Sequence, residues 1–256
     1  MVETIAVLGG SGYVGKNCIF KILKNFPNIK VISFSRSGRT NMQEYFKYLN
    51  PSDIDRIENV SGSVTSKSDL EGIVGRTDAI IHSVGTLLSL KESSHEESYD
   101  SKSRKPVDYC IEILKEKKLN KKINFVYISA ERGLPLPLSL AFGGYIESKK
   151  RAEQSLLNSK DVLNPTILKP GIICHPEQRS WSVPLYHSVN FLNSVVEKGI
   201  LSKINSNIGE TLQLPSQGTM LETLSDYAVK GAVGALNQEV FSAEELIWFS
   251  YLKNND

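Results

Sequence analysis

Residues Ile5-Ala-Val-Leu-Gly-Gly-Ser-Gly-Tyr-Val-Gly15 constrain the fold of this chain more than any other stretch. A short apolar run meets a turn in which Gly9, Gly12 and Gly15 recur at three-residue spacing. A helical pattern follows at once, with Val14, Cys18 and Ile22 in one row and Ile19, Leu23 and Phe26 in the next. Strand, glycine turn and helix in that order predict the first unit of a parallel α/β sheet, the device by which such proteins hold a dinucleotide. The early glycines permit a tight turn and close approach of backbone to a pyrophosphate, and the last lets the helix pack near the strand. The helix N-terminus adds N–H groups and partial positive charge. The candidate cofactor-binding residues are therefore Gly9, Gly10, Ser11, Gly12, Tyr13, Val14 and Gly15. Such turns also occur without a ligand, so the rest of the chain has to be consulted.

The 256 residues suffice for one large α/β domain, with hydrophobic and charged fractions ordinary for a globular protein. A net charge of +2 gives no reason to expect a nucleic-acid partner. No apolar run approaches the ~20 residues of a transmembrane helix. Cys18, Cys110 and Cys174 are far apart and read as reduced core thiols, and His82, His95, His175 and His187 have no metal-ligand spacing. The first strand starts within a few residues of Met1, so no cleavable leader is expected. Up to Thr40 the only acid is Glu3, against Lys16, Lys21, Lys24, Lys30, Arg36 and Arg39. That bias fits either an uncleaved mitochondrial targeting signal or a first helix with a solvated basic face.

Apolar segments alternate with helical ones. The predicted strands are Thr4–Leu8, Lys30–Ser35, Ile57–Val60, Ala79–Ser83, Asn124–Ser129 and Thr166–Lys169. The predicted helices are Tyr13–Asn25, Asn41–Leu49, Ser66–Val74, Ser103–Lys117 and Tyr145–Asn158. This is βαβ order. Leu87–Ser103 and Leu134–Gly144 read as loops. After Gly171 the rhythm changes. Helices near Leu185–Lys198, Ser225–Leu236 and Ala243–Leu252 predict a small mixed lobe, about residues 172–256, within a single domain spanning 1–256. The expected fold is α/β, a doubly wound parallel sheet of Rossmann type with that small C-terminal substrate lobe.

Tyr145-Ile-Glu-Ser-Lys149 places a phenol and an ammonium four residues apart on one helix face. Lys149 can hold the ribose of a bound cofactor and, with an oxidised nicotinamide, lower the phenol's pKa from about 10. Tyr145 can then exchange a proton with a carbonyl oxygen during hydride transfer. The alternative is a surface tyrosine and a solvated lysine. At the end of the second strand, Phe34-Ser-Arg-Ser37 offers Ser35, Arg36 and Ser37. Guanidinium pairs with phosphate, which favours NADP(H), with NAD(H) as the alternative. Arg39 competes for that role. After the third strand stands Gly62-Ser-Val64, with no acid for an adenine amino group. His82 ends the fourth strand, where Ser83, Val84 and Gly85 face the expected crevice; the histidine reads as a structural hydrogen-bonding group or a nicotinamide neighbour. Trp181 and Tyr186 read as core aromatics or as walls for a quinone-like ring.

The glycine turn, YxxxK after the fifth strand, Lys169-Pro170-Gly171 after the sixth and Leu224-Ser-Asp-Tyr-Ala228 resemble the extended or atypical branch of the short-chain dehydrogenase/reductases over nearly the whole chain. Four longer strings narrow this: His82-Ser-Val-Gly-Thr-Leu-Leu88, Tyr99-Asp-Ser-Lys-Ser-Arg104, Tyr127-Ile-Ser-Ala-Glu-Arg-Gly133 and Tyr145-Ile-Glu-Ser-Lys-Lys-Arg-Ala-Glu153. They resemble a group of fungal mitochondrial oxidoreductase-like proteins of ubiquinone biosynthesis, itself similar to a nucleotide-binding accessory subunit of respiratory complex I. The resemblance implies Tyr145, Lys149 and Ser129 as catalytic positions and Pro170 beside the cofactor. It also implies a quinone-like or carbonyl substrate, the coenzyme Q biosynthetic complex as partner, and peripheral association with the matrix face of the mitochondrial inner membrane. One departure stands out: the family's catalytic serine aligns with Ala130, and only a one-residue shift of the strand end restores Ser129. Two readings follow, an NADP(H)-dependent oxidoreductase or a nucleotide-binding assembly protein without turnover. A reductase or epimerase acting on another carbonyl or sugar-nucleotide outside that pathway is the alternative to both.

Overall fold

The computed structural model describes residues 1–85, 99–131, 138–178, 180–197 and 216–246. Its main sheet has seven strands: β1 Thr4–Leu8, β2 Lys30–Ser35, β3 Ile57–Ser61, β4 Ala79–His82, β5 Ile123–Ile128, β6 Leu163–Leu168 and β9 Val240–Phe241. They lie in the order β3-β2-β1-β4-β5-β6-β9, and every pairing is parallel. The helices are α1 Tyr13–Asn25, α2 Pro51–Ile54, α3 Lys67–Val74, α4 Tyr99–Lys117, α5 Leu138–Leu157, α6 Ser182–Glu197 and α7 Leu221–Ala232, with a 3-10 helix over Gln43–Tyr48. A second sheet pairs β7 Ile173–Cys174 with β8 Thr219–Met220.

Ile5, Ala6, Val7 and Leu8 are all fully buried, which requires cover on both faces of the sheet. Alternation along the strands supplies that cover. Ile5, Val7, Ile81 and Val126 face a core shared with α1 and α7, while Ala6, Leu8, Ile80, Phe125 and Tyr127 face one shared with α3, α4 and α5. The sheet is thus doubly wound. Its order reverses between β1 and β4, where Leu8 stands beside His82, and open α/β sheets form their ligand crevice at the carboxyl ends of the strands at such a point.

Two helices start earlier than their sequence suggests. α4 begins at Tyr99, inside the expected Leu87–Ser103 loop, and continues through Pro106. Arg104 reaches Asp100 at 2.8 Å and Asp108 at 3.1 Å along its surface. α5 begins at Leu138, so Tyr145 lies two turns inside the helix rather than at its opening. Pro137 precedes it, a residue that suits a helix start but not an interior. The glycines that argued for a loop cost about 1 kcal/mol each in a helix. Packing of α5 on α4 offsets that cost: the Tyr145 ring meets Tyr99 edge-on at 5.6 Å, and Ser148 Oγ donates to Tyr99 O at 3.0 Å. The expected Asn41–Leu49 helix is the tighter 3-10 turn, and the expected Thr166–Lys169 strand starts at Leu163. Much of the C-terminal tail belongs to the main body: α7 packs against α1 and β9 extends the sheet at β6. Cys18, Cys110 and Cys174 are buried free thiols. Residues 87–98, 134–137 and 247–252 of the expected elements lie outside the described residues.

Candidate cofactor and proton-transfer site

The glycine turn is built by exclusion. Gly9 has φ +87, and a Cβ on it would lie 3.1 Å from Ser83 Oγ and from Val84. A Cβ on Gly10 would strike Ser33 Oγ at 2.1 Å, and one on Gly15 would strike the Gly9 carbonyl oxygen at 2.2 Å. The N–H groups of Gly9 and Gly10 donate to Phe34 O at 2.9 and 3.2 Å, and that of Gly12 donates to Gly9 O at 2.8 Å. These donors are spent inside the turn. The glycines therefore shape the cradle, and an anion is left to the first turn of α1, where intrahelical partners are missing by geometry. Gly12 is the N-cap, no side chain caps the helix, and its first turn, with Tyr13 and Val14, holds no acidic residue. Ser11 and Gly12 are exposed at this end. An uncapped, acid-free helix N-terminus beside a glycine turn fits the diphosphate of a dinucleotide.

Other predicted contacts line the same crevice. Ser83 donates from N and Oγ to Leu8 O at 2.9 and 2.8 Å, which fastens the end of β4 to the end of β1 beside Val84 and the exposed Gly85. Ser35 and Ser37 hydroxyls meet at 3.2 Å beyond β2, and Ser61 Oγ donates to Arg36 O at 3.2 Å. The Arg36 side chain is exposed and forms no ion pair among the described residues. Pro170 is buried beyond β6, its carbonyl accepting from Glu131 N at 3.3 Å. An acid does stand by the end of β3, from a source the sequence reading passed over. Asp69 of α3 accepts from Ser63 N at 2.9 Å, and a Cβ on Gly62 would lie 3.1 Å from its Oδ2. That backbone bond holds the Asp69 carboxyl below its usual range. The signal was Ser66 followed three residues later by Asp69, a helix-start pattern.

A buried polar cluster occupies the carboxyl ends of β4 and β5, on the α4–α5 side. Lys149 is 1% exposed; its ammonium donates to Ile128 O at 2.8 Å and lies 4.6 Å from the Tyr127 ring centre and 5.8 Å from that of Tyr145. Tyr145 meets Tyr99 edge-on at 5.6 Å, and His82 lies 5.3 Å from Tyr127. Among the described residues neither His82 nitrogen has a hydrogen-bond partner, so none of them makes the predicted structural hydrogen bond. Burial and the Lys149 charge push the imidazole down to about 3, and it is neutral at physiological pH. Ser129 faces α5, and its hydroxyl donates to Glu153, whose other oxygen pairs with Lys169 Nζ at 3.1 Å. Sequence reading gave Tyr99, Tyr127, Glu153 and Lys169 no role at this site, although Lys149 and Glu153 are four residues apart on one helix face. Trp181, read as core or pocket wall, is 61% exposed, while Tyr186 packs its ring over Gly218.

The electrostatics differ from those expected of YxxxK. Burial pushes the Tyr145 phenol up to about 12 rather than down, with a smaller effect from Tyr99. Burial pushes Lys149 down to about 7, against the opposing pull of Glu153. Low dielectric penalises both charges, so the pair favours the neutral forms. Tyr145 is thereby a held proton, able to donate to an oxygen that gains charge but poorly placed to accept one.

Comparison with known proteins agrees with this geometry. A family model described as NAD(P)H-binding matches residues 9–189. MIOREX complex component 2 of Saccharomyces cerevisiae is 26% identical over 212 residues, covering 68% of this chain and 73% of that protein. The Candida albicans sterol-4-alpha-carboxylate 3-dehydrogenase ERG26, decarboxylating, is 23% identical over 189 residues; the match takes in 70% of this chain and 53% of the enzyme, about half its length. Among solved structures, a tyrosine-to-phenylalanine variant of ElxO with NADPH bound superposes with TM-score 0.62 at 17% identity, over 96% of this chain and 99% of that one. Bordetella bronchiseptica WbmH with NAD+ gives 0.58 at 15% identity, over 94% and 75%. The glycine turn, the doubly wound sheet and the matched span agree: this chain belongs to the NAD(P)H-binding family, with the Rossmann fold of the short-chain dehydrogenase/reductases.

Proposed function

We propose that this protein is an NADP(H)-dependent reductase of a quinone-like or carbonyl compound, acting within mitochondrial ubiquinone biosynthesis. The observation that carries the reduction is Tyr145, a half-buried tyrosine whose phenol is pushed up to about 12 and so keeps its proton at physiological pH, on the same crevice as the uncapped end of α1. The nicotinamide would supply the hydride. The first turn of α1 would hold the diphosphate, the exposed Arg36 with Ser35 and Ser37 would receive a 2′-phosphate, and Tyr145 would deliver a proton to the substrate oxygen. Lys149, now on Ile128 O, would orient the ribose side of the site. The pathway and the matrix-face location rest on the four sequence strings, and the likeness to a named component of a complex supports assembly with partner proteins.

A second reading, nucleotide binding without turnover, is favoured by one contact: the Ser129 hydroxyl is already committed to Glu153, and Ala130 follows it. The test is fluorescence titration with NADPH and NADH, followed by NADPH oxidation with short-chain quinones and their phenolic precursors. Tyr145→Phe should bind NADPH as wild type does and lose turnover, whereas wild-type binding without turnover on any such acceptor would select the second reading. Arg36→Ala should weaken NADPH about 10- to 100-fold more than NADH, the worth of a charged hydrogen bond; equal weakening would remove the NADP preference. Normal coenzyme Q and intermediates after gene deletion would refute the pathway.

A further inference from the structure

Residues 115–122 read Lys-Glu-Lys-Lys-Leu-Asn-Lys-Lys, five lysines against one glutamate, in a chain whose net charge is only +2. This one turn therefore outweighs the charge of all the rest. It joins the last turn of α4 to β5 at the amino ends of the strands, opposite the crevice, and each of its residues is exposed.

Part of that charge has a local explanation. Lys115 and Lys117 complement the carboxyl end of α4, the Lys117 ammonium folds over Gly75, and Lys121 pairs with Asp78. Lys118 and Lys122 have no such account, for neither forms an ion pair among the described residues. Lys118 is moreover the single non-glycine residue among them with positive φ, at +45. A helix that ends in left-handed backbone usually places Gly or Asn there, and a side chain kept against that preference points to a use. Next to it Leu119 is 37% exposed, at the edge of a hollow of about 230 Å³ that Lys118, Lys121 and Lys122 also line, with Asp161 as the acidic member.

We propose that this turn docks the protein on an anionic phospholipid surface, with its lysines among the headgroups and Leu119 in the interfacial layer. A dense positive patch around one aliphatic side chain combines the two weak forces that hold peripheral proteins on bilayers. It contains no aromatic ring to stack on a nucleobase or to anchor a partner's pocket. Docking at this end leaves the crevice clear. The proposal is independent of the reduction chemistry, and either can fail alone.

The test is flotation of the full chain with vesicles of phosphatidylcholine, with and without phosphatidylglycerol. Binding is expected only with phosphatidylglycerol and should weaken as salt is added. Lys118→Gln with Lys122→Gln should lower the partition coefficient about 25-fold, taking about fivefold per lysine. Leu119→Asp should lower it as well, and Lys160→Gln, whose lysine pairs with Glu239, should leave it unchanged. Unaltered unfolding midpoints in these variants would show that the fold is intact. Absence of binding, equal binding to both vesicles, or indifference to the Lys118/Lys122 pair would overturn the proposal. So would capture by single-stranded RNA through the same lysines with no affinity for vesicles.

Discussion

Lys149→Met should make this protein more stable while disabling its site. The wild-type ammonium is 1% exposed, and burial moves it from 10.5 to about 7. At neutral pH the unfolded chain keeps this lysine charged, so folding must expel a proton or bury a charge, at a cost of about 5 kcal/mol. Methionine fills a similar volume without that cost but gives up the bond to Ile128 O, worth about 1 kcal/mol. A net gain of about 2–4 kcal/mol follows, which at about 2–4 °C per kcal/mol is a rise in Tm of roughly 4–16 °C. The sign with pH is definite. The unfolded state binds the extra proton between the two pKa values, so wild-type stability rises with pH from about 7 towards 10.5, and below about 7 the penalty is constant. The advantage of Lys149→Met should therefore shrink about tenfold in the folding equilibrium per pH unit across that window and vanish near its upper end. Urea unfolding of both proteins from pH 6 to 10 measures this. An advantage that does not change with pH, or a variant less stable than wild type at pH 7, would refute the account of Lys149 as a strained, buried cation.

Glu153→Gln keeps an oxygen to accept from Ser129 but weakens that bond and removes the carboxylate that pairs with Lys169. A loss of about 1–3 kcal/mol is expected, and NMR of labelled lysines should show the Lys149 pKa falling further, because Glu153 is the group that holds it up. Gly15→Ala drives a methyl group to within 2.2 Å of the Gly9 carbonyl oxygen. The backbone has to move, so both NADPH titration and Tm should register a loss, of about 2 kcal/mol or more in stability. Arg56→Met leaves the carbonyls of Leu23, Phe26 and Ile29 without the guanidinium that now binds them at 2.5, 2.8 and 2.9 Å. It should cost about 2–4 kcal/mol in chemical denaturation with NADPH affinity preserved, since the contacts lie at the far end of α1 from the cradle.

Local periodicity was enough to place β1, α1 and β2, whose ends coincide with those read from sequence, because each is a short apolar pattern closed by a glycine, an asparagine or a serine turn. It erred where tertiary packing outweighed local preference. The Gly-rich start of α5 becomes helix as part of a longer element whose Tyr145 and Ser148 pack on Tyr99 of α4, and the expected tail lobe contributes α7 and β9 to the main body because their apolar faces complete the α1 side of the sheet. Asp69 escaped notice beside Gly62 because it returns to the end of β3 from a different element.

What the order of residues determined by itself is the cradle. Glycines at 9, 12 and 15 between an apolar strand and an amphipathic helix specify a βα unit through contacts only a few residues apart, and backbone sterics there act locally. What the tertiary structure decided is the protonation of the site. A Tyr and a Lys four residues apart mean nothing definite until burial sets their dielectric and strand ends from elsewhere in the chain supply the neighbours. Here Ile128 O, Tyr127, His82 and Glu153 surround Lys149, and desolvation leaves a phenol that keeps its proton and an amine that readily sheds one.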